Sequence, residues 1–214
     1  MKIGLNKTAM QSLVLGRFTR VTRAVPGQGA WQTTLQARDL SGDGKPDAYY
    51  DTELDITWLR DANANGMMNW RDANAWAAGL DVHGVRGWRL PTLIDDDALK
   101  FDFGYADTDC GYNSRTKDGD TVYNEMAHLF YVTLGNRGFY DTTGSPHPDR
   151  LVGVTNSGPF RHMQAFMCWT DREYAPWTGF GWFFGNDFGF QCFADQHYEL
   201  FAMAVHPGDV GRPR

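Results

Sequence analysis

The chain has 214 residues, of which 42% are hydrophobic and 21% charged. That is room for one large domain, and the composition excludes a disordered chain. A formal net charge of −6 excludes the basic face of a nucleic-acid binder, and no apolar run nears the roughly 18 residues of a transmembrane segment. Aromatic residues at 14% and 24 glycines predict short strands joined by many loops.

In chain order, residues 1–28 read as an N-terminal arm or degenerate leader. "MKIGLNKTAMQSLVLGRFTRVTRA" starts basic, holds only a short apolar patch from Ala9 to Leu15, and continues into Arg17, Arg20 and Arg23. A secretory signal carries a longer apolar stretch and small residues before its cut. Residues 29–210 read as a single domain and 211–214 as a tail. "AWQTTLQARDL" alternates as a strand, "SGDGKPDA" as a turn and "YYDTELDITWL" as a second strand. Asn69 is placed to cap a helix over "WRDANAWAAGL", with Trp70, Ala73, Ala77 and Leu80 on one face. In "RGWRLPT", Trp88 and Leu90 are expected to pack and Arg89 to meet a carboxylate. Residues 95–120 are polar and read as loops.

A second helix is predicted over "NEMAHLFYVTLGN". Its inner face is Met126, Leu129, Phe130, Thr133 and Leu134, and Gly135 is its stop. His128 reads as a packed residue. A loop from Arg137 to Pro159 follows, then strands over Met163–Thr170, Phe180–Phe184, Phe188–Phe193 and Leu200–His206. Gly185-Asn186-Asp187 closes a tight hairpin between the middle two. Strands, two helices, long loops and a terminal antiparallel sheet make the class α+β.

Three cysteines, Cys110, Cys168 and Cys192, are too few for a disulfide framework. Two readings stand: buried thiols, or a Cys168–Cys192 disulfide. Two loops have the spacing of calcium sites. "DLSGDGKPD" sets Asp39, Ser41, Asp43, Lys45 and Asp47 at alternate positions around Gly44, and hard cations take several oxygens from one tight loop. "DANANGMMNWRD" sets Asp61, Asn63, Asn65, Asn69 and Asp72 in D-x-N-x-N-G-x5-D order. A plain polar turn competes for the first set and the helix cap for the second.

"YDTELDITWLRDANANGMMNWRDANAWAAGL", "GWRLPT", "DCGYN", "EMAHLFYVTLGN", "CWTDREYAP" and "FAMAVHPGD" together resemble the DUF1566 (Lcl C-terminal-like) family over residues 29–210. That family is similar to the C-type lectin-like fold of the formylglycine-generating-enzyme branch. The sequence is similar to PEP-CTERM-associated secreted proteins, and the same branch holds the variable proteins of diversity-generating retroelements. The resemblance implies two helices flanking a twisted antiparallel sheet, with a ligand face on the C-terminal strands. It implies an extracellular or cell-surface protein, while the poor leader leaves the cytoplasm open. Relatives carry a sorting tail where this chain ends in "HPGDVGRPR", and a cysteine near Phe101 that would pair with the one at Cys110.

On that face the sequence concentrates rings and amides. Tyr174, Trp177, Phe180, Phe183, Asn186, Asp187, Phe188, Phe190, Gln191 and Gln196 are the expected ligand-binding residues. One side of the hairpin is expected to fill the core and the other to stay exposed. No spacing of Ser, His, Asp and Cys marks a catalytic centre. The reading is a non-catalytic module binding a protein or glycan, its loops braced by calcium. A retroelement-diversified receptor is the alternative. A formylglycine-generating-like oxidoreductase comes third, because Cys168 and Cys192 are too far apart in sequence for its paired cysteines.

Overall fold

A computed structural model describes residues 20–95, 111–148 and 152–211. Cys110 and the end of the tail lie outside these residues. The first expected strand begins instead as one helical turn, α1 (Trp31–Thr34), before β2 (Leu35–Arg38). The Thr33 and Thr34 hydroxyls both donate to the Ala30 carbonyl, each at 3.0 Å. That local bond favours a turn over an extended chain.

The second expected strand is a hairpin, β3 (Ala48–Asp51) and β4 (Ile56–Leu59). Asp51 makes the bend. Its buried carboxylate accepts the Glu53 N–H at 3.0 Å, the Leu54 N–H at 3.3 Å and the Trp58 indole N–H at 3.3 Å. Burial holds this carboxyl above the usual carboxylate range, against those three donors.

Asn69 caps α2 (Trp70–Gly79) as expected, its Oδ1 accepting the Asp72 N–H at 2.9 Å. Ala73 and Ala77 are buried, while Trp70 packs at the edge of the main core. The second helix starts at α3 (Glu125–His128), capped by Asn124, and opens into a π-helical stretch over Leu129–Thr133. Met126, Leu129, Phe130, Thr133 and Leu134 are its buried face. Gly135 ends it at φ +62°, and a Cβ there would lie 2.5 Å from the Gly29 nitrogen. Only glycine allows that close crossing of two backbones.

Two four-stranded antiparallel sheets result. One runs β12-β4-β3-β2, with β12 at Val205–Pro207. The other runs β5-β11-β10-β9, from β5 (Gly111–Tyr112), β11 (Phe190–Asp195), β10 (Phe180–Gly185) and β9 (Met167–Glu173). A hairpin of β6 (Lys117–Asp118) and β7 (Thr121–Val122) breaks up the expected loop region. The class is α+β.

The last expected strand is mostly not one. Leu200 to Ala204 are all buried and carry the chain from one sheet to the other, bridging Met68 and Cys168 on the way. Met163–Thr170 also divides, because β8 (Met163–Gln164) leaves to pair with β1 (Arg20–Val21). Part of the segment set apart as an arm therefore joins the fold. Its Val25 N–H and Gln28 carbonyl bond the side chain of Asn156.

Arg89 meets the expected carboxylate, that of Glu125, with guanidinium contacts of 2.8 and 2.7 Å. Burial works against the Arg89 charge, but the hydrogen bond and charge of Glu125 outweigh it and raise its pKa. Glu125 also accepts the Thr92 N–H at 2.8 Å, so one carboxylate ties α3 to the extended segment. Among the described residues no helix is long and apolar enough to cross a membrane.

The long loop is held by two buried asparagines. Asn136 Oδ1 accepts the N–H groups of Thr155 and Asn156, each at 2.9 Å. Asn156 Oδ1 accepts those of Val25 and Gly158, each at 2.9 Å. Its Nδ2 donates to Gln28 O at 3.1 Å and Leu134 O at 2.8 Å. Replacing Asn156 by alanine strands four backbone groups, so a loss of about 3 kcal/mol or more is expected. The exposed Arg71→Ala control should change by about 0.5 kcal/mol or less. Urea unfolding of both variants measures the difference.

Candidate ligand surface

The β10–β11 hairpin is built as the sequence suggests but with a longer turn. Gly185 pairs with Phe190, and the Gly189 N–H closes the turn on Gly185 O at 2.8 Å. Both faces of the hairpin are covered. Phe183 packs edge-on to Trp169 and Phe190, and Phe184 lies against Phe130 and Tyr131. Trp182 joins Leu93 and Tyr174 in a smaller core. The expected division into one core face and one exposed face does not hold.

Several expected ligand residues are therefore interior. Phe183, Asn186 and Gln191 are buried. Asn186 Nδ2 donates to Cys168 Sγ at 3.4 Å, and its carbonyl accepts the Val154 N–H at 2.8 Å. Gln191 Oε1 accepts from Asn124 Nδ2. Tyr174 is buried and stacks on Phe193 at 3.9 Å. Asp187, Phe188 and Phe190 are half-buried. A Cβ on Gly153 would lie 2.2 Å from the Asp187 carbonyl oxygen, so the loop around Gly153 roofs the turn. Phe188 faces Phe139 at 6.0 Å, at the edge of a cavity of ≈ 590 Å³ lined by Phe139, Pro146, His147, Pro148 and Val152.

What stays accessible lies at the opposite end of the hairpin. Trp177 is 43% exposed. Tyr174, Phe180 and Phe193 meet it edge-on at 5.8, 5.8 and 5.5 Å. Its loop is tied at the base by the Tyr174 N–H to Phe180 O bond of 2.8 Å. Glu173 and Gln196 form the rim. Glu173 Oε1 accepts the Gly179 N–H at 3.2 Å and Gln196 Nε2 at 3.1 Å. His197 stands out beside them, its Nδ1 2.8 Å from Asp195 Oδ1. Tyr174, Trp177, Phe180 and Gln196 thus come together, while Asn186, Asp187, Phe188 and Phe190 gather at the other end. Glu173 was not singled out from sequence; its position on this rim follows from the β9–β10 and β10–β11 pairings.

The Cys168–Cys192 disulfide is absent, and both thiols are free and buried. Cys168 on β9 pairs with Phe184, and Cys192 on β11 pairs with Phe183. They flank β10 from either side, about 9–10 Å apart at normal strand spacing. A bridge needs Cα atoms within about 7 Å. Burial pushes the Cys168 thiol up to about 12.

The first calcium-type loop closes on itself. Asp39 accepts the Gly42 N–H at 2.6 Å and the Gly44 N–H at 2.8 Å. Asp43 Oδ1 accepts the Lys45 N–H at 2.9 Å, and Asp47 Oδ2 the N–H groups of Leu40 and Ser41, each at 2.9 Å. Among the described residues Asp43 Oδ2 and Asp47 Oδ1 take no N–H, with Lys45 at 4.0 Å and His83 at 3.7 Å as neighbours. The second set is divided among other tasks. Asp61 faces His162 Nδ1 at 2.9 Å, Asn65 Nδ2 contacts Met68 Sδ at 3.0 Å, and Asn69 and Asp72 bond each other at the helix cap.

No family model, curated protein or solved structure matches the chain.

One buried and one half-buried group near this architecture titrate in opposite senses. His128 sits in α3 with neither ring nitrogen bonded among the described residues. Burial first, and then the Lys117 charge, lower its pKa from 6.5 to about 4, with Glu53 opposing. The unfolded chain binds that proton more readily, so His128 favours the fold above pH 6.5 and loses this as pH falls towards 4. Burial raises Asp187 from 3.8 to about 6. Its contribution is full below 3.8 and is lost as pH rises through 6. Between these limits the two offset each other. In His128→Leu, stability should fall with rising pH over this window; in Asp187→Asn it should fall with falling pH. Each slope should amount to on the order of 2 kcal/mol, read from urea midpoints at a series of pH values.

Proposed function

We propose that the chain is a non-catalytic binding module of C-type lectin-like fold, placed at the cell surface or secreted. Its ligand, a glycan or a protein, is met by the Trp177 end of the β10–β11 hairpin. The observation that carries this reading is the exposure of Trp177 on a base of three other rings. A tryptophan held in place by its neighbours offers contact area with little conformational entropy left to lose. Phe180 extends the apolar area, and Gln196 and Glu173 supply amide and carboxylate oxygens at its rim.

The burial of both thiols supports the non-catalytic reading over the oxidoreductase one. A cysteine reacts as its thiolate, and Cys168 is both enclosed and held far from ionisation at neutral pH. The strand between it and Cys192 also keeps the two from acting as a pair.

In a screen of immobilised glycans and surface proteins, Trp177→Ala should weaken binding tenfold or more, the effect of losing a central aromatic contact. Its melting temperature should stay close to that of the parent. A partner that binds the parent and Trp177→Ala equally would sink the assignment of this surface.

Calcium, on this proposal, is held by the first loop alone, with Asp43 and Asp47 supplying free oxygens among Asp39, Ser41, Asp43, Lys45 and Asp47. Adding calcium to chelator-treated protein should raise the melting temperature, and Asp43→Ala should abolish the rise. An unchanged melting temperature on calcium addition would leave the loop as a hydrogen-bonded turn.

A further inference from the structure

The chain contains three steps in which glycine follows Asn or Asp: Asp43-Gly44, Asn65-Gly66 and Asp118-Gly119. Only the middle one is Asn-Gly. Glycine has no Cβ to shield its backbone nitrogen, so that nitrogen can reach the side-chain carbonyl of the residue before it. What the fold does with the glycine N–H decides whether it is free to do so.

At Gly44 the N–H is engaged, donating to Asp39 Oδ2 at 2.8 Å. The preceding Asp43 is a carboxylate, a poor electrophile when ionised. At Gly66 no acceptor for the N–H is present among the described residues. A Cβ built on Gly66 would meet nothing within 4 Å. Asn65 is exposed, and its side-chain contact is one to the weak acceptor sulfur of Met68. The neighbouring asparagines differ. Asn69 is fixed as the α2 cap, and the Trp70 N–H after it donates to Gln196 O at 3.0 Å. Asn63 is half-buried and is followed by Ala64, whose Cβ crowds the attack.

We propose that Asn65 is a site of spontaneous covalent modification, deamidation through a cyclic imide. The Gly66 nitrogen loses its proton to solvent base and forms a bond to Asn65 Cγ. The bond from Cγ to Nδ2 breaks, and Nδ2 takes up a proton from water and leaves as ammonia. Water then adds to either carbonyl of the ring, giving aspartate or isoaspartate. Water is the co-reactant, and nothing is oxidised or reduced. Each product adds one negative charge to a chain that already carries −6. Isoaspartate also inserts a methylene into the backbone three residues before Met68. Met68 pairs with Leu200 by bonds of 2.8 and 2.9 Å, and its carbonyl accepts the Trp169 indole N–H at 2.9 Å. The isoaspartate form should therefore melt below the parent.

The test incubates the full chain, folded and in urea, in mildly alkaline buffer, followed by tryptic peptide mapping. The peptide from Asp61 to Arg71 contains Asn63, Asn65 and Asn69, so two internal controls travel with the site. Conversion at Asn65 should exceed that at Asn63 and Asn69 by an order of magnitude, with aspartate and isoaspartate both formed. The folded rate should lie within a few-fold of the unfolded rate. A folded rate slower by an order of magnitude, or equal conversion at all three positions, would overturn the proposal. An acidic form should also develop on ion exchange during storage of the parent and not of Asn65→Ser. Its equal growth in that variant would overturn the proposal as well.

Discussion

The fold depends on buried side-chain amides and carboxylates that satisfy irregular backbone. Long stretches of this chain cross the interior without a ladder of their own. A backbone N–H or C=O buried there must find a partner or destabilise the fold by about 1–3 kcal/mol. Asn136 and Asn156 meet that requirement for the long loop, the end of the π-helical stretch and residues 25–28 together. Asp51 does it for the β3–β4 bend and Glu125 for the segment after Arg89. Each of these polar groups lies deep in the interior; the asparagines and Glu125 reach backbone from distant parts of the chain, and Asp51 serves the bend that follows it. The loops are thereby fixed in place.

The same requirement governs where a ligand can bind. The two sheets are joined by the buried crossing from Leu200 to Ala204, and loops roof the hairpin turn near Gly153. Little of the aromatic hairpin remains uncovered. The accessible part is the loop after β9, where Trp177 projects beyond the ring cluster that supports it. Binding area and stability are thus separated along one hairpin: its centre and turn are core, and its open end is surface.

His128 is an exception to the satisfied interior, and the half-buried Asp187 is its counterpart at the hairpin turn. One is an imidazole without a partner, the other a carboxyl without a paired cation among the described residues. Their opposite shifts offset each other within the fold's response to pH. Cys168 lies next to this region, hydrogen-bonded by Asn186 and shifted upwards in part by the Asp187 charge. Enclosure and a nearby negative charge both work against its thiolate, which is why a strand cysteine here is a packing residue.

Local signals in the sequence were enough for the two Asn-capped helices and for one ion pair. Asn69 three residues before Asp72 is a cap wherever a helix follows, and the apolar spacing from Met126 to Leu134 defines a buried face within one segment. Arg89, between residues that must be buried, had to bring a carboxylate with it. The α+β class followed from the same periodicities. The tertiary structure alone decided which rings are exposed, because alternation along a strand tells two faces apart without telling what covers them. Phe183, Asn186 and Gln191 became interior through contacts with Trp169, Cys168 and Asn124, all distant in sequence. It also decided that Cys168 and Cys192 cannot bond, since the strand that separates them is placed by pairing rather than by order. Trp177 stands at the surface for the same reason: among the described residues, pairing brings the rings of Tyr174, Phe180 and Phe193 beneath it and leaves it 43% exposed.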